Sequence, residues 1–285
     1  MKTQTIGTEI EFTGITRHQA AVVVAKFFDT TAKHEGGNYD KYTVEDYDGR
    51  VWTVMSDSSI RTTDTQKRCE LVTPILRWRD IKTLQQIVRD LRFVGAKVNN
   101  TCGMHVHIGA NDMTAAQIRH LVNIVASRED LFYNALKVHE NRKDYCRPTN
   151  ERFLNELNQK KPATIDKLKT AWYGNNGDHN HHYDPTRYAI LNLHALFTKG
   201  TVEFRIFNST LHAGEVKAAI QFCAALVAFA KKARRSVYHK IETDNKKFAM
   251  RTFLTRLGLN GDEFKTARLH LTKNLEGNAA WRFAV

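Results

Sequence analysis

Polar and apolar positions alternate over Gln4–Thr13. Ile6, Thr8, Ile10 and Phe12 fall on one face, and Gly7, Glu9 and Glu11 on the other, which predicts a half-buried strand. A helix is expected over His18–Phe28. "KYTVEDYDGRVWTVMSD" predicts two strands around an Asp48-Gly49 turn. "RCELVTPIL" reads as a short strand ended by Pro74. Over residues 80–92, Ile81, Leu84, Ile87, Val88 and Leu91 form the stripe of an amphipathic helix. Met104–Ile108 is the next strand. Thr114 and Gln117 then make a capping box for a helix bearing Ile118, Leu121, Val122 and Val125. Residues 141–186 are polar and irregular, and "YGNNGDHNHHYDP" is the most loop-like stretch. "RYAILNLHALF" carries a strand pattern that a helical turn also suits. In "TVEFRIF", Val202, Phe204 and Ile206 alternate with Glu203, Arg205 and Phe207. A helix over Glu215–Ala230 and short C-terminal helices complete the pattern. No repeat or domain boundary interrupts it. The expected fold is α+β in one domain, residues 1–285. A curved, mainly antiparallel sheet would carry helices on its outer face, with 213–285 as a helical, basic C-terminal extension.

Composition narrows the setting. A chain of 285 residues, 42% hydrophobic, can bury a sizeable core. Cys69, Cys102, Cys146 and Cys223 are scattered without a CxxC pair, which argues against a structural zinc or a disulfide framework and for a reduced, cytoplasmic setting. "MKTQTIGTEIEF" lacks a signal-peptide core, and the apolar run "AAIQFCAALVAFA" is too short for a bilayer and contains Gln221. No membrane partner is expected. Lys and Arg number 43 against 30 Asp and Glu, a formal charge of +13, which attracts anions. The surplus gathers in "KKARRSVYHKIETDNKK". The simplest account of that stretch is a solvated helix face; the other is a contact for nucleic acid or an acidic protein.

The chemistry sits on the strands. Glu9 and Glu11 share one strand face, His105 and His107 a second, Glu203 and Arg205 a third. The opposite face of each strand is apolar. Adjacent carboxylates repel unless a cation or hydrogen bonds answer them. A hard divalent cation, Mg²⁺ or Mn²⁺, would do so, and an imidazole favours Mn²⁺. The guanidinium fork of an Arg suits phosphate oxygens. Singly, each motif is an ordinary solvent face or surface ion pair. Together they point to a metal site on one side of a sheet.

"NTCGMHVH" resembles the Gly-Met-His-x-His strand of glutamine synthetases, and "GTEIEF" and "TVEFRIF" resemble that superfamily's early ExE and late ExR strands, in the same order. The compact length, "CELVTPIL" and "RYAILNLHALFTKGTVEFRIFNSTL" resemble more narrowly the amidoligase family, carboxylate–amine ligases with the glutamine synthetase and glutamate–cysteine ligase fold. The likeness covers roughly residues 5–212. It implies ATP-dependent amide formation through an acyl phosphate, with ATP and Mg²⁺ or Mn²⁺ as cofactors. The substrates would be small-molecule or peptide carboxylates and amines. By the same resemblance, Glu9, Glu11, Glu70, His105 and Glu203 would hold metal. His107 and Arg205 would contact phosphate, and Arg187 phosphate or a substrate carboxylate. Asn192 would orient substrate, and in "VMSDSSI" Asp57 and Ser59 would face the amine or carboxylate. The second carboxylate that glutamine synthetases pair with the position of Glu70 has no counterpart within a strand step. Such compact ligases occur in bacteria and in phage-infected hosts.

Plainer readings stand beside these. Glu70 could pair with Arg68 or Arg77, and Asp57 to Ser59 could be a polar turn. His179, His181 and His182 could be exposed or belong to a lid. Arg187 could answer Asp184. A divalent-metal hydrolase would use HxH and the carboxylates without ATP. A basic nucleic-acid-binding protein would need no chemistry, though neither a helix-turn-helix nor an aromatic-rich binding strand is present.

Overall fold

The structure is a computed structural model that describes residues 1–174 and 183–281. His179, His181 and His182 lie outside the described residues. The strands are β1 (Ile6–Phe12), β2 (Lys33–Gly36), β3 (Lys41–Glu45), β4 (Val51–Met55), β5 (Cys69–Val72), β6 (Gly103–Gly109), β7 (Leu191–Asn192) and β8 (Thr201–Asn208). The helices are α1 (Arg17–Phe27), α2 (Ile81–Phe93), α3 (Ala115–Ala126), α4 (Glu129–Leu136), α5 (Glu151–Lys160), α6 (Ile165–Tyr173), α7 (His194–Lys199), α8 (Ala213–Lys232), α9 (Lys246–Arg256) and α10 (Lys265–Thr272). The strands form one open sheet in the order β2-β3-β4-β5-β1-β6-β8-β7, with every neighbouring pair antiparallel. The fold is therefore α+β with an antiparallel sheet.

Period-two patterning divides the central strands. Ile10, Phe12, Leu71, Met104, Val106 and Phe204 are all buried in one core with residues of α1, α2, α3 and α8. The carboxylates and imidazoles alternate with them and turn to the other face. Local signals start the helices where expected. Thr114 and Gln117 close the capping box of α3, and Thr16 and Gln19 close another for α1. Helix α8 is long and apolar enough by composition to cross a membrane, but 72% of that window is buried inside the protein. It is a core helix, flanked by α2, α3 and α10.

Three elements depart from the sequence reading. The polar stretch over 141–186 holds α5 and α6, capped by Asn150 and Thr164. Each helix buries few side chains, Phe153 and Leu157 in one and Leu168, Ala171, Trp172 and Tyr173 in the other, so the apolar stripe is thin. "RYAILNLHALF" contains both structures that it suited: the two-residue β7 and then α7. Within β8, strict alternation fails. Met104 faces Phe207, yet Val106 faces Phe204, so Arg205 and Ile206 together oppose the single residue His105. This β-bulge turns Phe207 to the core side, where it is 4% exposed, instead of leaving it beside Glu203 and Arg205.

Candidate active site

Strand register assembles the site. Glu11 lies directly across from Glu70 on β5, Glu9 across from His105 on β6, and His107 across from Glu203 on β8. Glu203 in turn faces Asn192 on β7. Residues spread over almost two hundred positions become cross-strand neighbours, whose side chains on one face stand within direct reach of each other. Arg205, two residues on from Glu203 and at the bulge opposite His105, joins them on the same face. Its guanidinium pairs with Glu203, lies 3.4 Å from His105 Nδ1 and donates to the Tyr145 carbonyl at 3.2 Å.

Part of this cluster floors a cleft of about 710 Å³, whose walls include Asp57, Ser59, Arg187, Tyr188 and Lys199. Glu9, Glu11, Glu70, His105 and Arg205 line it. The Tyr188 ring lies 5.8 Å from the Arg187 guanidinium and 5.9 Å from that of Arg205, so both cations are within reach of one aromatic ring. Asp57 Oδ1 accepts from the Ser59 amide at 2.6 Å, so this stretch is both the polar turn and a cleft wall. Among the described residues, Glu70 forms no ion pair with Arg68 or Arg77.

Three expected site residues do not line this cleft. Glu203 is buried beneath Arg205, its ion-pair partner, and reaches the cleft only through that guanidinium. Asn192 is buried behind Glu203 and does not line the cleft. Its amide donates to Glu203 at 2.6 Å and its carbonyl accepts from the His194 amide at 2.8 Å, so it positions a carboxylate and has no surface to offer substrate. His107 opens on a separate hollow of about 260 Å³ with Thr5, Gly7, Lys199 and Thr201. Its Nδ1 is 3.0 Å from the Thr201 hydroxyl and its Nε2 is 3.3 Å from Glu9. The two imidazoles thus meet Glu9 from different sides and do not share one cleft wall.

The carboxylates fall into two electrostatic classes. Burial alone would raise Glu9, but His105 and His107 outweigh it and hold the acid well below its usual range. Glu203 behaves alike: burial opposes, yet Arg205 and then His107 bring it down to about 2. On the other side, burial, reinforced by Asp57, pushes Glu11 up to about 8, although Arg142 and the Gly103 amide act against it. Burial followed by Glu9, Glu11 and Asp57 drives Glu70 well above the normal range. Burial and the neighbouring Arg205 lower His105 to about 4, so its ring is neutral at pH 7. Burial disfavours charge on His107 too, but Glu203 and Glu9 prevail and raise it.

This division tests whether a cation fits. Glu11, Glu70 and His105 are all buried, and one donor atom from each lies within 4.8 Å of the others. Their two carboxyls lack sufficient positive charge, and a neutral imidazole completes an O,O,N set suited to Mg²⁺ or, better, Mn²⁺. Glu9, His105 and Glu203 form a second triad of the same compactness. There the carboxylates are already answered by imidazoles and by Arg205. The residues fit a cation best on the Glu11–Glu70 side.

Arg142 escaped the sequence reading. It comes from the irregular stretch before α5, is 2% exposed, and donates to the carbonyls of Phe207 and Arg205, the latter at 3.2 Å. It therefore pairs the carbonyls that flank the bulge and also faces the Glu11 carboxylate. The one signal for it is Gly103, where any Cβ would collide with the guanidinium. Arg142→Met is expected to leave two buried carbonyls unpaired and to cost roughly 2–4 kcal/mol in urea unfolding. A change within error would show that Arg142 does not hold the bulge.

An α+β protein with buried carboxylates, imidazoles and a guanidinium on the cleft face of an antiparallel sheet is the class so defined. The chain belongs to the amidoligase family: the family model described as "Putative amidoligase enzyme" matches residues 2–227. That membership points to an enzyme of the ligase type. Among curated proteins, none matches the chain significantly.

Proposed function

We propose that this protein is an ATP-dependent carboxylate–amine ligase that works through an acyl phosphate. We also read its sheet as a catalytic sheet of the glutamine synthetase and glutamate–cysteine ligase type. The observation that carries the reading is one cleft in which cation-seeking carboxylates, Glu11 and Glu70, stand beside Arg205 and Arg187. Arg205 also favours a ligase over a metal hydrolase, because a buried guanidinium is matched to transferring phosphate oxygens.

In this reading a substrate carboxylate oxygen attacks the γ-phosphorus of ATP and ADP departs. The amine nitrogen then attacks the acyl carbon, inorganic phosphate leaves with the former carboxylate oxygen, and the amine loses a proton. A divalent cation held by Glu11, Glu70 and His105 would supply neutralisation of the phosphate oxygens when bound. Arg205, fixed by Glu203 and the Tyr145 carbonyl, meets charge that spreads over the moving phosphoryl group. Arg187 orients phosphate or the acid. Asp57, which borders Glu11 and Glu70, holds the ammonium and takes its proton. Asn192 keeps Glu203 turned toward Arg205. Neutral His105 is a ligand, and His107 braces Glu9 at the smaller hollow.

A pool of carboxylic acids and amines incubated with ATP and Mg²⁺ is expected to yield condensation products by mass spectrometry, together with ADP. ATP with the cation should raise Tm, and EDTA should remove that shift. An ATP effect that survives EDTA would mean attraction to the general positive charge.

A further inference from the structure

A second group of metal-ligating side chains lies away from the cleft, where α10 packs on the start of α8. His212 caps α8 by accepting from the Glu215 amide through Nδ1 at 3.3 Å. Its ring centroid is 4.9 Å from that of His270 on α10. His270 Nδ1 lies 3.6 Å from Glu215 Oε1, and it is a buried ring nitrogen without a hydrogen-bond partner. One donor atom from each of the three residues falls within 4.8 Å of the others.

Gly214 makes this crowding possible. A Cβ there would stand 2.9 Å from His212 and 3.0 Å from His270 Nε2. Its helical backbone does not demand glycine, so the missing side chain serves space and not conformation.

We propose that His212, Glu215 and His270 form a second metal site, selective for a borderline d-block cation of the Zn²⁺ class and not for Mg²⁺. Two imidazoles and one carboxylate are the donor set such ions prefer, with a fourth position left for water. Hard cations would stay with the carboxylate-rich cleft. The site competes with what now holds its ligands: the Lys273 ammonium and, at 2.6 Å, the Thr210 hydroxyl on Glu215, and the Glu215 amide on His212 Nδ1, a cap that ends when the ring's single lone pair turns to the metal. Metal would displace Lys273 and tie α10, beyond the matched segment 2–227, to the helix that follows β8. Its role is structural, and the proposal stands independently of the ligase reading.

The test is Co²⁺ titration of metal-stripped full-length protein with excess Mg²⁺ present, read by visible absorption. The expected result is one Co²⁺ per chain with the intense bands of a four-coordinate site. His270→Gln, on the surface helix α10, should lose them while circular dichroism stays native. Glu11→Gln should keep them. Lys273→Met, which removes the competing ammonium, should tighten binding several-fold. Bands that persist in His270→Gln, bands that disappear in Glu11→Gln, or weaker binding in Lys273→Met would each overturn the proposal.

Discussion

Arg205→Lys is expected to lower kcat for ATP-dependent condensation by about 10²–10³-fold, the usual cost of removing one preorganised donor to developing charge. Arg205 combines burial, an ion pair to Glu203 and a hydrogen bond to Tyr145, so its fork is fixed before substrate arrives. Lysine keeps the charge and offers no fork. Substrate KM should change far less than kcat, because the lost contact strengthens only as the phosphoryl group moves. Arg205→Ala is a poorer test. It leaves Glu203 charged and buried, at a cost of about 3–5 kcal/mol, and so confuses folding with catalysis. A folded Arg205→Lys enzyme within a few-fold of wild-type kcat would remove Arg205 from the chemistry.

Glu11 and Glu70 give the second large effect, on stability. In cation-free protein Glu11 titrates at about 8, against an ordinary 4.5. A raised folded-state pKa means that the native state binds the proton more tightly than the unfolded state. Its stabilising contribution is complete below about 4.5 and is lost as pH rises toward 8. Glu70 acts in the same direction. His105 runs the other way, since its ring is lowered to about 4 from 6.5, but that gain is complete once pH passes 6.5. His107, raised, adds to the loss at higher pH. Tm in EDTA should therefore fall between pH 6.5 and 8. Mn²⁺ should abolish most of that fall, since binding replaces the protons. Glu11→Gln should stabilise the EDTA form at pH 8 and greatly weaken the Mn²⁺ response. Thermal melts across pH, with and without metal, check all three. A wild-type Tm that rises from pH 6.5 to 8 in EDTA would contradict the electrostatic division of the site.

The sequence was most informative where one period governed a strand. Glu9, Glu11, His105, His107 and Glu203 each share a face with a partner two residues away or across the sheet, and alternation alone groups them. The order of the strands was not legible, because antiparallel register depends on distant backbone pairing. Glu11 and Glu70, 59 positions apart, become partners only through that register. The bulge in β8 was equally hidden, although an aromatic Phe207 on an otherwise polar face hinted at it. Arg142 left no signal but Gly103, because it acts through backbone carbonyls, and contacts of that kind leave no pattern in side-chain spacing. Asn192 was named for the substrate, yet its two hydrogen bonds turn it inward to Glu203 and the backbone. Helices α5 and α6 were obscured by thin apolar stripes despite sound N-caps.

The most direct measurement of acyl-phosphate ligation follows oxygen. An acid from the condensing pool, labelled with ¹⁸O in its carboxylate, is incubated with amine, ATP and Mg²⁺, and the inorganic phosphate is read by mass spectrometry. Transfer of one ¹⁸O from each acid molecule to phosphate, in step with amide formation and ADP release, is expected. Amide formed with unlabelled phosphate, or ADP released without any amide, would contradict it.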